Sequence, residues 1–165
     1  MKKITLSLSL CTLLVSAFAA GQNQTFNPTF SQEPMTMQSI AWQDNYDQAV
    51  AAAKASNKPI LILFTGSTWC PACIKLEKEV LTHPEFARAL SERVVFLKAN
   101  FPRHSADSMA QSPFQELLER YHVNSFPTMI VTTADGRQLF QVDYRAGSVN
   151  NYVQEFQQKL NQLGR

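Results

Sequence analysis

Two stretches in the body of the chain are apolar almost without a break. "PILILF" at residues 59–64 runs apolar through every position, as a central strand buried on both faces does. "VVFLKANF" at 94–101 reads as a second buried strand. Ahead of them, Tyr46, Ala49, Val50 and Ala53 recur at helical spacing, which predicts a helix that starts near Asp44 and stops at Lys58 and Pro59. In "CPACIKLEKEVL", Cys73, Leu76 and Val80 share one helical face, and Pro84 restarts the chain as a further helix, "PEFARAL". Residues 102–111 are polar and without period and read as an irregular connection. Ser112, Pro113 and Gln115 then carry a helix start: a serine cap, proline at the first helical position and glutamine three residues after the cap. Phe114, Leu117, Leu118 and Tyr121 give that helix its apolar stripe. "TMIVTTADGRQLFQVDY" divides at Asp135 and Gly136 into the two strands of a hairpin. Ser148 caps a last helix with Val149, Val153, Phe156 and Leu160 inward. The order helix, strand, helix, strand, helix, hairpin, helix predicts an α/β fold, a central mixed sheet with helices on both faces.

The N-terminus is patterned differently. Lys2 and Lys3 precede an apolar run over residues 4–18, and Ala17 and Ala19 set small residues at the −3 and −1 positions of a cleavage site. Residues 1–19 therefore read as a secretory signal peptide, the run being short for the roughly 20 residues of a spanning helix. Cys11 leaves with it. Residues 20–39, rich in Gln, Asn, Thr, Ser and Pro, read as a flexible polar lead, and 40–165 as one domain. Cleavage changes the charge picture. Lys+Arg falls from 15 to 13 and equals Asp+Glu at 13, so the basic balance of the whole chain does not indicate nucleic-acid or membrane partners.

Two cysteines remain, Cys70 and Cys73, in a compartment where disulfides form and persist. A zinc site needs four ligands, and His83, His104 and His122 stand at no ligand spacing with this pair. A structural staple so local restrains little of the unfolded chain, about 2 kcal/mol by loop entropy against roughly 3 for fifteen residues. Redox exchange fits the surroundings. Cys70 stands at the start of a helix, where backbone N–H groups favour a thiolate, and Cys73 lies one turn further in on the buried side. One sulfur attacks and the other resolves. Pro71 and Ala72 between them bring no charge and no side-chain donor, and Pro71 removes a backbone one. A potential nearer thioredoxin's, roughly −270 mV, than DsbA's, roughly −120 mV, is the expectation, and with it the reducing direction.

With "WCPAC" after a buried strand and "FPT" at 126–128 opening a later one, residues 40–163 resemble the thioredoxin superfamily. "FTGSTWCPACIKLEKEV", "HPEF" and "VVFLKANFPR" are most similar within it to secreted disulfide reductases of the DsbH type and to the C-terminal domain of the membrane electron carrier DsbD. The resemblance implies a thioredoxin-like fold, a cis bond between Phe126 and Pro127, and a backbone beside Pro127 that grips an extended substrate. Thioredoxin's buried aspartate, six residues before the first cysteine, is Phe64 here. Glu77, four residues after Cys73, faces the cysteines by helical geometry. The DsbD domain has an acid at that position, so Glu77 either relays protons or pairs with a lysine on the surface. Trp69 either shields the pair and meets substrate or is a core aromatic. Thioredoxin's mid-helix proline is missing, which predicts a straighter helix.

The sequence thus reads as a periplasmic thiol–disulfide oxidoreductase that reduces protein disulfides. Cys70 and Cys73 form its redox-active disulfide, Trp69, Phe126 and Pro127 lie on the substrate side, and Glu77 is a candidate proton relay. No metal, nucleotide or flavin is called for. The expected partners are protein disulfides and a membrane electron donor of the DsbD kind, with the protein a monomer. The alternatives are a disulfide oxidase or isomerase, and a non-catalytic module that uses its sheet to hold partners or copper.

Overall fold

A computed structural model of the chain describes residues 39–101 and 105–164. The stretches read as signal peptide and polar lead lie outside the described residues except for Ser39, and so does His104. Four strands form one sheet in the order β2-β1-β3-β4: β1 (Ile60–Thr65), β2 (Val95–Asn100), β3 (Thr128–Thr132) and β4 (Gln138–Asp143). β1 pairs parallel with β2 and antiparallel with β3, and β3 pairs antiparallel with β4. The fold is the expected thioredoxin-like α/β arrangement with a mixed sheet.

Every residue of β1 is buried, which is why "ILILFT" carries no polar alternation. Its side chains feed two cores. Leu61 and Leu63 pack on one face with Leu76, Phe86, Met129 and Phe156, and Ile60, Ile62 and Phe64 pack on the other with Ala49, Ala53, Leu117 and Ile130. Helix α1 (Tyr46–Ser56) and helix α5 (Gln115–Arg120) cover the second face, while α2 (Pro71–Leu76), α3 (Pro84–Leu90) and α6 (Val149–Gln162) cover the first. The outer edge of β2 is protected by Gln43, whose N–H donates to the Phe96 carbonyl and whose own carbonyl accepts from the Lys98 N–H. Among the described residues, no helix is long and apolar enough to cross a membrane.

Several boundaries differ from the sequence expectation. The cap of α1 is Asn45, whose Oδ1 accepts from the Gln48 N–H at 3.0 Å, one residue after Asp44. The helix after Cys70 is not one straight rod. It passes at Glu77 into a π-helical turn, Glu77–Leu81, and the added residue per turn buries Val80 and Leu81 side by side. The connection read as irregular contains a short helix, α4 (Ala106–Ala110), whose cap Ser105 accepts the Ser108 N–H. Ser112 does not cap α5. Its hydroxyl takes the Phe114 N–H in a preceding turn, so the helix begins at Gln115 rather than Pro113. Ser148 holds the cap position of α6 without a side-chain hydrogen bond. The hairpin closes between Thr133 and Arg137, with Gly136 at φ +85°, a conformation that only glycine adopts cheaply.

Tyr152, Phe156 and Leu160 seat α6 on the sheet, and the Phe156 ring meets Phe86 edge-on at 5.8 Å. Phe156→Ala empties the centre of that core and is expected to cost about 3–5 kcal/mol, read as a lowered urea midpoint with unchanged slope.

Candidate active site

The site forms where β1 runs out. After Thr65 the chain turns through residues 66–69, and the N–H groups of Trp69 and Cys70 both donate to the Gly66 carbonyl, at 3.2 and 2.9 Å. Cys70 is thereby set in extended backbone as the cap of α2, with Pro71 at the first helical position, where a missing N–H costs least. The cap interaction is made by sulfur. The backbone N–H of Cys73 donates to Cys70 Sγ at 3.2 Å. Deeper in, the Gly66 N–H donates to Cys73 Sγ at 3.4 Å. The two sulfurs are joined in a disulfide, and both residues are buried.

The sulfurs are not equivalent. A groove of about 270 Å³ opens beside the pair, walled by Trp69, Cys70, Val123, Phe126 and Met109, and Cys73 is not among its lining residues. Cys70 Sγ lies 3.8 Å from the Phe126 carbonyl oxygen. The Phe126–Pro127 bond is cis, as the resemblance implied. Phe126 is fixed by stacking on Phe101 at 5.2 Å and by an edge contact with Trp69 at 5.8 Å, while Thr128 Oγ1 donates to the Ser125 carbonyl behind it. Trp69 is half-buried, and its indole N–H donates to the Phe101 carbonyl at 2.7 Å. It lines the groove beside Cys70 and is not a fully buried core aromatic.

Glu77 stands where α2 gives way to the π-helical turn, and its carboxylate accepts from Lys98 of β2 at 2.7 Å. The same ammonium lies over the Trp42 ring, 5.3 Å from its centroid. Phe64, at the position of thioredoxin's aspartate, is packed into the core with its ring edge toward Tyr121. Among the described residues, no three His, Cys, Asp or Glu side chains gather as a metal site would require, and His83 faces Glu85 at 3.7 Å.

Sequence reasoning missed Gly66, Phe101, Val123 and Met109 as site residues. Gly66 carried a cue, its place between a strand end and the cysteine pair. A Cβ there would stand 2.4 Å from the Trp69 ring, so only glycine lets the indole lie against the backbone. Met109 had a weaker one, the Ser105 and Asp107 start of α4.

The chain matches the thioredoxin-like domain over residues 46–163. It belongs to that family. The disulfide bond reductase DsbH of Chlamydia pneumoniae is 29% identical over 153 residues, which span 91% of each chain. The thioredoxin-related protein DsbJ of the same organism is 30% identical over 68% of this chain, though over only 32% of its own length. A solved structure of the DsbH oxidoreductase superposes with a TM-score of 0.67 at 26% identity, covering 86% of this chain and 95% of that one.

Gly66→Ala is expected to unseat Trp69 from the Phe101 carbonyl. In a Trp42→Phe background, the indole emission should shift to longer wavelength and become more readily quenched by acrylamide. An unchanged emission spectrum would contradict this role for Gly66.

Proposed function

We propose that this protein reduces disulfides in other proteins by dithiol exchange, with Cys70 as the attacking thiolate and Cys73 as the resolving thiol. The observation that carries this reading is the unequal access of the two sulfurs: Cys70 borders the groove and takes the Cys73 N–H, while Cys73 sits behind it. In the reduced protein the same N–H favours negative charge on Cys70 Sγ. That thiolate attacks one sulfur of a substrate disulfide, forms a mixed disulfide and expels the other substrate sulfur as a thiolate. Cys73 then loses its proton and attacks Cys70 Sγ. The Cys70–Cys73 disulfide forms, the second substrate thiolate leaves, and two electrons have passed to the substrate.

The reducing direction is supported by what surrounds Cys70. The groove lining is uncharged among the described residues, Pro71 has no N–H to offer, and Ala72 adds no side-chain donor, which supports a reduced form with little of the stabilisation that makes a strong oxidant. Kinship with DsbH, named a disulfide bond reductase, supports the same direction. We read the site of action as the periplasm, from the N-terminal pattern of residues 1–19. Each turnover leaves the pair oxidised, so the cycle needs a dithiol that returns two electrons. A membrane donor of the DsbD kind suits that need, and a DsbD of Cronobacter sakazakii is 36% identical to this chain over 66% of it, within 17% of its own length.

Cys73→Ser is expected to accumulate a mixed disulfide with insulin that dithiothreitol releases, whereas Cys70→Ser forms none and loses insulin reduction. Exchange by Cys70→Ser at the rate of the unaltered protein would remove the assignment. We also propose Glu77 as the proton carrier for Cys73, one helical turn away, with Lys98 holding its carboxylate in place. Glu77→Gln is then expected to slow the resolving step by roughly tenfold or more and to change its pH profile. An unaltered profile would leave Glu77 as Lys98's structural partner alone.

A further inference from the structure

We propose that α4 makes this enzyme selective among disulfides: Met109 favours substrate cysteines flanked by an apolar residue, and the groove it completes discriminates against charged residues of either sign. The proposal rests on Cys70 being the attacking sulfur. The exchange step confines the geometry. When Cys70 Sγ bonds to the substrate sulfur and the substrate's former partner sulfur leaves as a thiolate, the two Cβ atoms are about 3.5–4.5 Å apart. The residues on either side of the substrate cysteine are then at the groove.

That groove has a definite character. At about 270 Å³ it falls below the roughly 300–1,000 Å³ of sites that enclose a whole small molecule, so it suits one side chain of an extended segment. Among the described residues its polar lining, Asn124 and Ser125, is uncharged like the rest. A charged side chain placed there loses water and meets no opposite charge among the described lining residues, whereas an apolar one is simply removed from water. Met109 forms the wall contributed by α4. It is half-buried against the core that holds Phe114 and Leu117, so it is anchored, while its unbranched thioether adapts to apolar groups of different shape. Two apolar residues of α2 are also exposed. Ile74 is 48% exposed on α2, one of two large hydrophobic side chains left exposed among the described residues, and Pro71 beside Cys70 is exposed as well. The occupant is an extended polypeptide segment with an apolar residue next to its oxidised cysteine, as occurs in a protein whose core cysteines are wrongly paired and not yet buried.

The test uses the reduced full-length protein and four short peptides, each with one cysteine in a mixed disulfide with glutathione and with Leu, Ala, Asp or Lys on both sides of it. Stopped-flow tryptophan fluorescence gives each rate. The expected result is that Leu exceeds both Asp and Lys by about tenfold, with Ala between. Long-range charge would instead separate Asp from Lys by sign. In Met109→Asp the Lys peptide should gain on the Leu peptide by about tenfold, and in Met109→Ala the Leu advantage should shrink severalfold. Should Met109→Asp fail to melt cooperatively, the ranking in the unaltered protein and in Met109→Ala decides. Equal rates for all four peptides, or the same ratios in the Met109 variants, would overturn the preference while leaving the dithiol cycle standing. Failure to reduce any of the peptides would overturn the role of Cys70 and the preference with it.

Discussion

The interaction on which the site depends is the hydrogen bond from the Cys73 N–H to Cys70 Sγ. It makes Cys70 Sγ, the sulfur we propose as the attacking one, the cap of its own helix, so the backbone that places Cys73 is also the backbone that tunes Cys70. This bond exists only because β1 delivers the chain to the right point. A strand buried on both faces cannot shift register without pushing its apolar side chains out of two cores at once, so its end is fixed in space. The turn at 66–69 inherits that position, and Gly66 spends it twice: its carbonyl gathers the N–H groups of Trp69 and Cys70, and its N–H reaches Cys73 Sγ.

The aromatic cluster carries the same order across to the other half of the site. Trp69 binds the end of β2 through the Phe101 carbonyl, Phe101 stacks on Phe126, and Phe126 leads into Pro127 and β3. Three separate stretches of sequence are thereby linked, and one of them brings the Phe126 carbonyl to Cys70 Sγ. The chemistry follows from how little is placed there. Among the described residues, one directed N–H and an uncharged groove lining support a thiolate without trapping the reduced form, which is what a donor of electrons needs. Glu77 and Lys98 join the helix to β2, and Trp42 covers the ammonium.

Much of this was legible in the sequence because burial leaves a simple trace. The unbroken run "PILILF" suited a strand in the middle of a sheet, which it forms, and "WCPAC" after it marked the two cysteines that the structure joins in a disulfide. The errors lie where short polar stretches decide. Ser112 and Pro113 look like a helix start, yet the serine closes a turn and α5 begins at Gln115. The π-helical turn after Leu76 has no marker residue; it follows from packing both Val80 and Leu81. Met109 was missed for a related reason, since α4 has a start signal but is too short to show a period. Only the three-dimensional fold brings it opposite Cys70.

The central claim, a dithiol that gives electrons rather than takes them, is tested most directly by the reduction potential of the Cys70–Cys73 pair, equilibrated against glutathione. The account predicts a value near thioredoxin's, roughly −270 mV. A value near DsbA's, roughly −120 mV, would contradict it, because it would require a stabilisation of the Cys70 thiolate far beyond what the Cys73 N–H and the described, uncharged groove lining supply.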